Sequence, residues 1–421
     1  MEGFNHMASN RTPGGKRRVR TLVAALSVAV VVLAVFAGAA ASRTKANVTV
    51  TVDTLPIANG LPLDLGIQKG FFDQQGITIK KVTFQSGNDI VLALSNNNGD
   101  VGYLCYVPMM IARTGGIPFT LVAASEVEGT TAEDNWQNIL VRGNSSIRTP
   151  ADLSGKTIAL NALKGVGEVV VKAALKKINV DPNSVKLVAL PFPSMRSALN
   201  NGQVDAIWVP EPFLTQGLGD GDRVVMAPGP VLGNFFPNGG YGALQSWVQK
   251  NPQLAAKFRT AINQSLSYAQ THPDEIRGLL PAATRNVRLP VWTTTIDRKQ
   301  LLTLAKDAKE FGVITSLPNF TQLFPSAIRS GISVGTIEAT ASAKSLKLTS
   351  QGVAAKILDP GKYRVIVKDT SNKVSFSLKG PGVNKSTGKA QTGTVIWNVT
   401  LAAGRYAYAT SAGKRGSFKV S

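Results

Sequence analysis

Residues 155–213 alternate strands and helices more regularly than any other part of this 421-residue chain. They read GKTIALNALKGVGEVVVKAALKKINVDP and, from Val185, VKLVALPFPSMRSALNNGQVDAIWVPEPF. Strands that alternate with helices over so short a length predict βαβ units and a mostly parallel sheet. Small ligands bind at the C-terminal ends of the strands in such sheets, so the loops that follow these strands are the candidate binding site.

The inventory of reactive side chains argues against catalysis. The chain contains two histidines, His6 and His272, and one cysteine, Cys105. No intramolecular disulfide, Cys-rich zinc site or Cys–His nucleophile pair can be assembled from these residues. We therefore expect neither a metal nor another cofactor, and we expect that the protein is not an enzyme.

The positive charge is unevenly distributed. The net charge is +21, and residues 341–421 contain fourteen Lys and Arg but only two acids, a net charge of +12. The first 41 residues contribute +4, which leaves about +5 for the long middle region. Because a clustered positive charge attracts anionic partners, the C-terminal segment is the candidate for such an interaction.

The N-terminus has the composition of an export segment. The basic run KRRVR, residues 16–20, precedes an apolar run over 22–36 and then AGAAAS. This pattern predicts that residues 1–45 are either a cleaved signal peptide or an uncleaved membrane anchor. Both alternatives place the remainder of the chain outside the cytoplasm, secreted or tethered to the cytoplasmic membrane, where nucleic acid is not an expected partner.

The pattern of predicted strands and helices divides the exported part into two regions. Strand and helix patterns alternate from Val48 to about residue 332, and after residue 250 the pattern becomes mainly helical, with helices predicted at 253–270, 273–280 and 297–311. About 290 residues of this pattern exceed the usual size of one core, so two lobes are expected. From about Gly335 the chain changes to short alternating strands such as KYRVIVKD and RYAYATS, which predict a small all-β sandwich over 341–421.

The middle region resembles a known family of binding proteins. The pieces LDLGIQKGFFDQQGI, ALSNNNGDVGYLCY, LSGKTIALN, ALNNGQVDAIWVPEPF and WVQKNPQLAAKF resemble bacterial solute-binding proteins of the nitrate, sulfonate and taurine group, which includes thiamine-pyrimidine synthase-like binders. The resemblance implies an α/β, two-lobe periplasmic-binding-protein-like fold of type II over 46–332. Two crossing strands would join one lobe, about 46–143 plus 230–332, to the other, about 144–229.

The same resemblance implies a function. Such proteins close their lobes on a small-molecule ligand and deliver it to the permease and ATPase of an ABC importer. A membrane-anchored sensor or cell-surface binding protein without transport is the alternative, and a pyrimidine-synthase-like enzyme is disfavoured by the lack of histidine and cysteine. The ligand would be a sulfonate, nitrate or taurine-like anion, or a pyrimidine-like compound.

The candidate ligand site consists of the loops that follow four predicted strands. Gly165 and Gly167 would let the backbone approach an anion at a helix N-terminus, although an ordinary βα turn has the same composition. Glu211 either contacts a ligand amine or stabilises the helix that begins beside Pro212, and Trp208 and Tyr103 either stack on a ligand or belong to the core. The complete predicted set is Leu55, Pro56, Ile57, Tyr103, Leu104, Cys105, Asn161, Lys164, Gly165, Val166, Gly167, Phe192, Trp208, Glu211 and Phe213.

The C-terminal segment carries a second resemblance. The frame GPGV, then GTVIWNVTLAAGRY, then GSFKV resembles cupredoxin-like domains of secreted bacterial proteins. Residues 341–421 contain no His, Cys or Met, so the soft ligands of type 1 copper are missing and the domain is expected to be metal-free. Its cations would bind an anionic cell-wall polymer or lipid headgroups, unless the domain is merely a soluble spacer. The cleft is expected to lie wholly within the two lobes, independent of this segment.

Overall fold

The computed structural model describes residues 47–324, 332–333, 335–350, 353–358, 360–371, 373–389 and 393–421. The predicted signal or anchor, residues 1–45, lies outside the described residues. Residues Val48–Ser421 form one compact unit. Within the described ranges, none of the helices combines the length and the apolar character that crossing a bilayer requires.

The chain begins with a βα series that builds most of a first lobe. Its strands are β1 Val48–Thr54, β2 Ile77–Thr83, β3 Val101–Cys105 and β4 Phe119–Val127, and its helices are α1 Leu61–Gln68, α2 Gly87–Ser95 and α3 Tyr106–Thr114. Short 3-10 turns lie at Ala58–Gly60 and Asp73–Gln75. Every residue of β4 is buried, as is typical of a strand that is covered on both faces.

A second βα series builds the second lobe. Its strands are β5 Gln137–Val141, β6 Thr157–Leu160, β7 Lys186–Ala189, β8 Ala206–Pro210 and β9 Arg223–Met226. Its helices are α4 Val166–Lys177, α5 Phe192–Asn200 and α6 Phe213–Gly219, with a 3-10 turn at Pro150–Leu153 and the short helix α7 Pro228–Leu232 after β9.

The chain then returns to the first lobe. The return elements are β10 Pro237–Leu244, α8 Gln245–Lys250, α9 Pro252–Thr271, α10 Pro273–Gly278, a 3-10 turn at Ala282–Thr284, β11 Val291–Trp292, β12 Ile296–Asp297, α11 Arg298–Glu310 and α12 Phe320–Leu323. The longest of these helices, α9, buries Phe258, Ile262 and Leu266, which recur every fourth residue and therefore form one apolar face. This face packs in the core of the first lobe, where Phe258 contacts Phe72 with the ring centroids 5.7 Å apart.

The sheets of the two lobes share one plan. The order is β2-β1-β3-β10-β4-β11 in the first lobe and β7-β6-β8-β5-β9 in the second. In each sheet the strand that arrives from the other lobe, β10 or β5, is antiparallel to both of its neighbours. Two segments therefore join the lobes, residues 128–136 (connector 1) and residues 227–236 (connector 2). Since β5 already belongs to the second sheet, the first crossing precedes residue 137 rather than the predicted boundary at 143.

The remaining strands form a β-sandwich. The short strand β13 Ile332–Ser333 precedes it and pairs with β12 in a separate two-stranded sheet. The strands of the sandwich are β14 Gly335–Ala341, β15 Leu346–Ser350, β16 Val353–Ala354, β17 Ile357–Leu358, β18 Gly361–Asp369, β19 Phe376–Gly380, β20 Val383–Ser386, β21 Gly393–Leu401, β22 Gly404–Thr410 and β23 Arg415–Val420. The two sheets have the orders β16-β15-β14-β18-β21 and β17-β23-β22-β19-β20.

Residues from both sheets share the core of this sandwich. Ile337 and Val365 from one sheet pack with Phe376, Tyr406 and Phe418 from the other. The all-β architecture expected from the sequence is confirmed, with its first strand beginning at Gly335, a few residues before the predicted start at 341. The cupredoxin-like character of the sandwich stays a prediction.

Candidate functional site

A small cavity of about 30 Å³ lies between the two lobes. The lining comes from the C-terminal ends of β1, β3, β6 and β8, where open α/β sheets place their ligands. Eight residues of the predicted set line it, namely Leu55, Ile57, Cys105, Asn161, Gly165, Val166, Phe192 and Trp208. The first three belong to the first lobe and the other five to the second, so the cavity is made jointly by the two lobes.

The lobes touch each other at this cavity. The side-chain amide of Asn161 donates a hydrogen bond to the carbonyl oxygen of Gln85, 3.2 Å away in the first lobe. From the opposite side, the Asn88 amide lies 3.5 Å from the carbonyl oxygens of Leu163 and Lys164. These contacts across the cleft correspond to a closed arrangement of the two lobes.

The lining of the cavity is uncharged. Within the described part of the chain, the residues that line it include no Asp, Glu, Lys, Arg or His. The polar members are four amide side chains and Trp208, while Leu55, Ile57, Pro108 and Phe192 supply apolar surface. Burying a charge without a partner is costly, and this lining supplies no counter-charge for a cation. It offers hydrogen-bond donors and an apolar wall instead.

Four helices begin at the cavity. Each N-terminus contributes one or two lining residues, from α2 Gly87 and Asn88, from α3 the preceding Cys105, from α4 Gly165 and Val166, and from α5 Phe192. The first N–H groups of a helix have no partner within the helix, and the helix dipole places partial positive charge there. Four helix ends beside one cavity favour an anionic group there, although the Asp89 N–H of α2 is already capped by Ser86 and Pro193 of α5 has no N–H to offer. The acid in the first turn of α4, Glu168, is paired with Lys172 at 2.8 Å, which offsets its charge.

Trp208 presents an unused donor beside the cavity. Its side chain is 2% exposed, and its indole nitrogen has no hydrogen-bond partner among the described residues. A Cβ atom on Gly167 would lie 3.0 Å from Cε3 and Cζ3 of this ring, so the ring edge opposite the N–H packs against α4. Buried donors are rarely left unpaired, and a ligand oxygen would satisfy this one.

A buried carboxyl group supports the polar residues at the floor. Glu128 accepts hydrogen bonds from the amide nitrogens of Asn238, at 2.9 Å, and of Gln137, and both amides line the cavity. The Cys105 thiol donates to Asn238 Oδ1 at 3.2 Å. Burial raises the pKa of Glu128 to about 8, and burial likewise raises the pKa of Glu126, two residues earlier on β4, to about 7. Glu128 is therefore mainly protonated at neutral pH, which keeps the floor uncharged.

Glu211 is not brought to the cavity. Its carboxylate is fully buried, where it accepts hydrogen bonds from the backbone N–H of Thr215 at 2.9 Å and of Arg288 at 3.0 Å. Its own carbonyl accepts from Ala58 N–H at 2.9 Å. Burial raises the pKa of this group even though these donors favour its charged form. Of the two predicted roles, the structure therefore supports the structural one, because the side chain is already satisfied by the protein.

Six other residues of the predicted set also lie outside the lining. Tyr103 packs against Tyr241, with the ring centroids 5.3 Å apart, and belongs to the core of the first lobe. Gly167 is covered by Trp208, and Phe213 stacks on Phe192 with the centroids 5.6 Å apart. The others are Pro56, Leu104 and Lys164.

Several lining residues are absent from the predicted set, above all Asn88, Gln137 and Asn238. Asn88 lies two residues after Ser86, whose hydroxyl caps the Asp89 N–H at the start of α2. A serine in this position is a sequence signal for a helix N-terminus, so the position of Asn88 could have been predicted. Gln137 is the first residue of β5 and Asn238 is the second residue of β10, the strands that enter each lobe from a connector. The segment NILVR predicts a strand at β5, but no local pattern shows which lobe that strand joins, and the Gly-rich run PNGGYGAL of β10 carries no strand pattern. The remaining missed residues are Gly87, Pro108, Trp136, Ala162 and Pro210.

The two lobes, their crossing strands and the cavity between them define a periplasmic-binding-protein-like fold. The family model "NMT1/THI5 like" matches residues 58–276, more than half of the chain, so the chain belongs to this family. The resemblance recognised in the sequence is thereby confirmed.

Relatives with curated names align over the same region. The taurine-binding periplasmic protein of Escherichia coli K12 is 27% identical over 213 residues, which is 48% of this chain and 61% of that protein. A putative aliphatic sulfonates-binding protein of Bacillus subtilis 168 is 26% identical over 223 residues, 52% of this chain and 65% of that protein. The alignments thus span less than two thirds of these relatives.

Solved structures share the fold. The aliphatic sulphonate binding protein SsuA of Escherichia coli has a TM-score of 0.54 at 19% identity, covering 65% of this chain and 96% of that one. The alkanesulfonate-binding protein SsuA of Xanthomonas axonopodis pv. citri, bound to MOPS, has a TM-score of 0.54 at 20% identity, covering 69% and 99%. About a third of this chain has no counterpart in either structure.

The raised pKa of Glu128 predicts how stability depends on pH. The group has an ordinary value of 4.5 and a native value of about 8, so the native state binds more protons between these limits. The free energy of unfolding should therefore fall as pH rises through this window, by at most ~1.4 kcal/mol per pH unit for one group. Urea unfolding between about pH 5 and 9 measures the slope.

The variant Glu128→Gln should have a shallower slope, with the part due to Glu126 remaining. Glu133→Gln, which changes an exposed acid of the same connector, is the control and should keep the wild-type slope. Equal slopes in wild type and Glu128→Gln would show that Glu128 is not protonated in the native state.

Proposed function

We propose that this protein is an extracytoplasmic solute-binding protein. It captures a small organic anion by closing its two lobes and delivers the anion to the permease and ATPase of an ABC importer. The observation that carries the proposal is the partly open, uncharged cavity between the lobes, beside which four helices begin. The names of the sulfonate- and taurine-binding relatives point to the same class of ligand.

The chemistry of the lining favours an organic sulfonate over a nitrogen heterocycle. The carboxylate that would have paired with a ligand amine, Glu211, is occupied by Thr215 and Arg288. The helix N-termini and the unpaired Trp208 N–H are donors that suit sulfonate oxygens. The apolar wall from Leu55, Ile57 and Phe192 suits a short hydrocarbon tail, which nitrate lacks.

Binding without catalysis is the role that the side chains support. Burial raises the pKa of the Cys105 thiol well above its usual value, so it is not a reactive thiolate. His272 stacks on Tyr268 with the ring centroids 3.8 Å apart, in an exposed position on another part of the first lobe. Neither residue is placed as a nucleophile with a base. A sensor that uses the same cavity without an importer is the alternative, and uptake by cells that lack the protein distinguishes the two.

One sheet of the sandwich, β17-β23-β22-β19-β20, carries a basic face that suits an anionic polymer or anionic lipid headgroups. Its four cations are Lys379, Arg405, Arg415 and Lys419, all exposed and without an ion-pair partner among the described residues. Arg405 lies directly opposite Lys419 on the neighbouring strand. Like charges in this position are unfavourable, so an external anion would relieve the repulsion.

The choice of ligand is tested by differential scanning fluorimetry and calorimetry. Ethanesulfonate should stabilise the protein by ~2.7 kcal/mol when present at about 100 times its Kd. Taurine should bind more weakly, because the lining supplies no counter-charge for its ammonium group. Nitrate should bind more weakly because it leaves the apolar wall uncovered, and an aminopyrimidine should not bind. Binding of the aminopyrimidine in preference to both sulfonates would contradict the anion proposal.

The packing of Trp208 predicts the effect of one methyl group. Gly167→Ala places a Cβ atom 3.0 Å from the Trp208 ring, so the ring must shift and carry its N–H with it. The affinity for ethanesulfonate should fall about tenfold, or ~1.4 kcal/mol. Gly219→Ala, in the same lobe with open space around the new methyl group, is the control and should bind as wild type. An unchanged affinity in Gly167→Ala would show that Trp208 does not contribute to ligand binding.

The basic face is tested with vesicles that contain phosphatidylglycerol and, separately, with purified wall teichoic acid. The full chain should sediment with one of these partners, and binding should weaken as salt shortens the Debye length below ~10 Å at 0.1 M. Replacing Lys379, Arg405 and Lys419 by Ser should remove most of the binding. Replacing Lys250, Lys257 and Lys306, three exposed lysines of the first lobe, is the charge-matched control. Equal loss in both triple variants would mean that net charge alone is responsible.

A further inference from the structure

The two connectors contact each other as well as joining the lobes. Glu128 N–H, at the start of connector 1, donates to the carbonyl of Phe236 at 2.8 Å, and Phe235 N–H in connector 2 donates to the carbonyl of Gly129 at 3.3 Å. Any rotation of one lobe relative to the other must change backbone angles within or beside these segments, because they are the hinges. Whatever restrains the connectors therefore restrains lobe movement.

The C-terminal sandwich is docked on connector 1. The ammonium group of Lys368, on β18, is hydrogen-bonded to the Asp134 carboxylate and to the Thr130 hydroxyl. Asp134 in turn accepts from the backbone N–H groups of Thr130 and Thr131, at 2.7 and 2.8 Å, which fixes the turn of the connector. Lys368 thus fastens the sandwich to a turn whose shape depends on the same carboxylate.

Connector 2 is held by the same strand of the sandwich. Arg364 on β18 is completely buried, and its guanidinium lies 3.4 Å from the Phe235 carbonyl oxygen and 3.1 Å from the Thr336 hydroxyl. The Lys368 ammonium lies 5.4 Å from the centre of the Phe235 ring, a cation–π distance. Beside them, the side-chain amide of Asn234 donates to Glu338 of β14 at 2.7 Å.

An apolar cluster completes the interface. Ile366 of β18 packs with Val127, the last residue of β4, and with Phe235, and each of the three is at most 1% exposed. Because β18 alternates, Arg364, Ile366 and Lys368 all point to the same face of the strand. A single strand of the sandwich thereby contacts both connectors.

We propose that the sandwich is a hinge clamp: through Arg364, Ile366 and Lys368 it holds both connectors in the lobe-closed geometry and restrains opening. This inference goes beyond solute capture and does not depend on which solute is bound. It replaces the expectation that the cleft works independently of residues 341–421. Opening would have to break the contacts of β18 with the connectors or move the sandwich together with one lobe.

The clamp is tested on the full-length, ligand-free protein by measuring the distance between the lobes. Spin labels are attached at Lys80→Cys on β2 and Lys186→Cys on β7, two exposed positions at the outer edges of the two sheets, in a Cys105→Ala background. Double electron–electron resonance then gives the distribution of inter-label distances. The clamped protein should give one narrow distribution.

Two variants weaken the clamp in different ways. Lys368→Met removes the charged contact with connector 1, and Ile366→Ala opens the apolar cluster. Each should broaden the distribution and at least double the population at long distance. Lys385→Met, at an exposed position of β20 in the other sheet of the sandwich, is the control and should give the wild-type distribution. Because Lys368 is partly exposed, Lys368→Met should fold and can be measured even if Ile366→Ala does not fold.

Distributions identical to the control in Lys368→Met and Ile366→Ala would overturn the proposal. Because no ligand is present, failure of the solute-binding proposal would not alter this result. Conversely, a working clamp in a protein that binds no sulfonate would leave the clamp standing and refute only the choice of ligand.

Discussion

The arrangement of the binding region depends on one buried carboxyl group, Glu128. It lies at the point where the chain leaves the first lobe, and its hydrogen bonds reach Gln137 and Asn238, the first polar side chains of the two strands that cross between the lobes. A carboxyl group that is protonated when buried satisfies two amides without adding a charge to the cavity floor. The same group thus joins the crossing strands and keeps the floor compatible with an anion.

Helix ends and amides, rather than cations, define the electrostatics of the cavity. A lysine or arginine would bind an anion more strongly but would also have to be buried when the lobes close. Backbone dipoles need no such desolvation of a full charge, so their attraction for an anion is available in the closed form. This explains how a protein with a net charge of +21 has an uncharged binding cavity.

The sequence predicted local structure better than the assembly of the site. Helix α9 was expected at 253–270 and spans Pro252–Thr271, because apolar periodicity is a local signal. Glu211 was expected beside the ligand as one alternative, but a partner of its carboxylate, Arg288, is 77 residues away, and no local pattern reveals such a partner. Asn238 and Gln137 could not be predicted for the same reason, because only the long-range pairing of β10 and β5 places them at the cavity.

The position of the clamp in the chain has a consequence for folding. Lys368 and Asp134 are 234 residues apart in sequence, so this contact closes a very long loop. Until β18 has formed and has paired with its neighbours, Val127, Phe235 and the connectors have no cover from the sandwich. The lobes must therefore pass through a stage in which their junction exposes apolar surface, which is the kind of intermediate that chaperones protect.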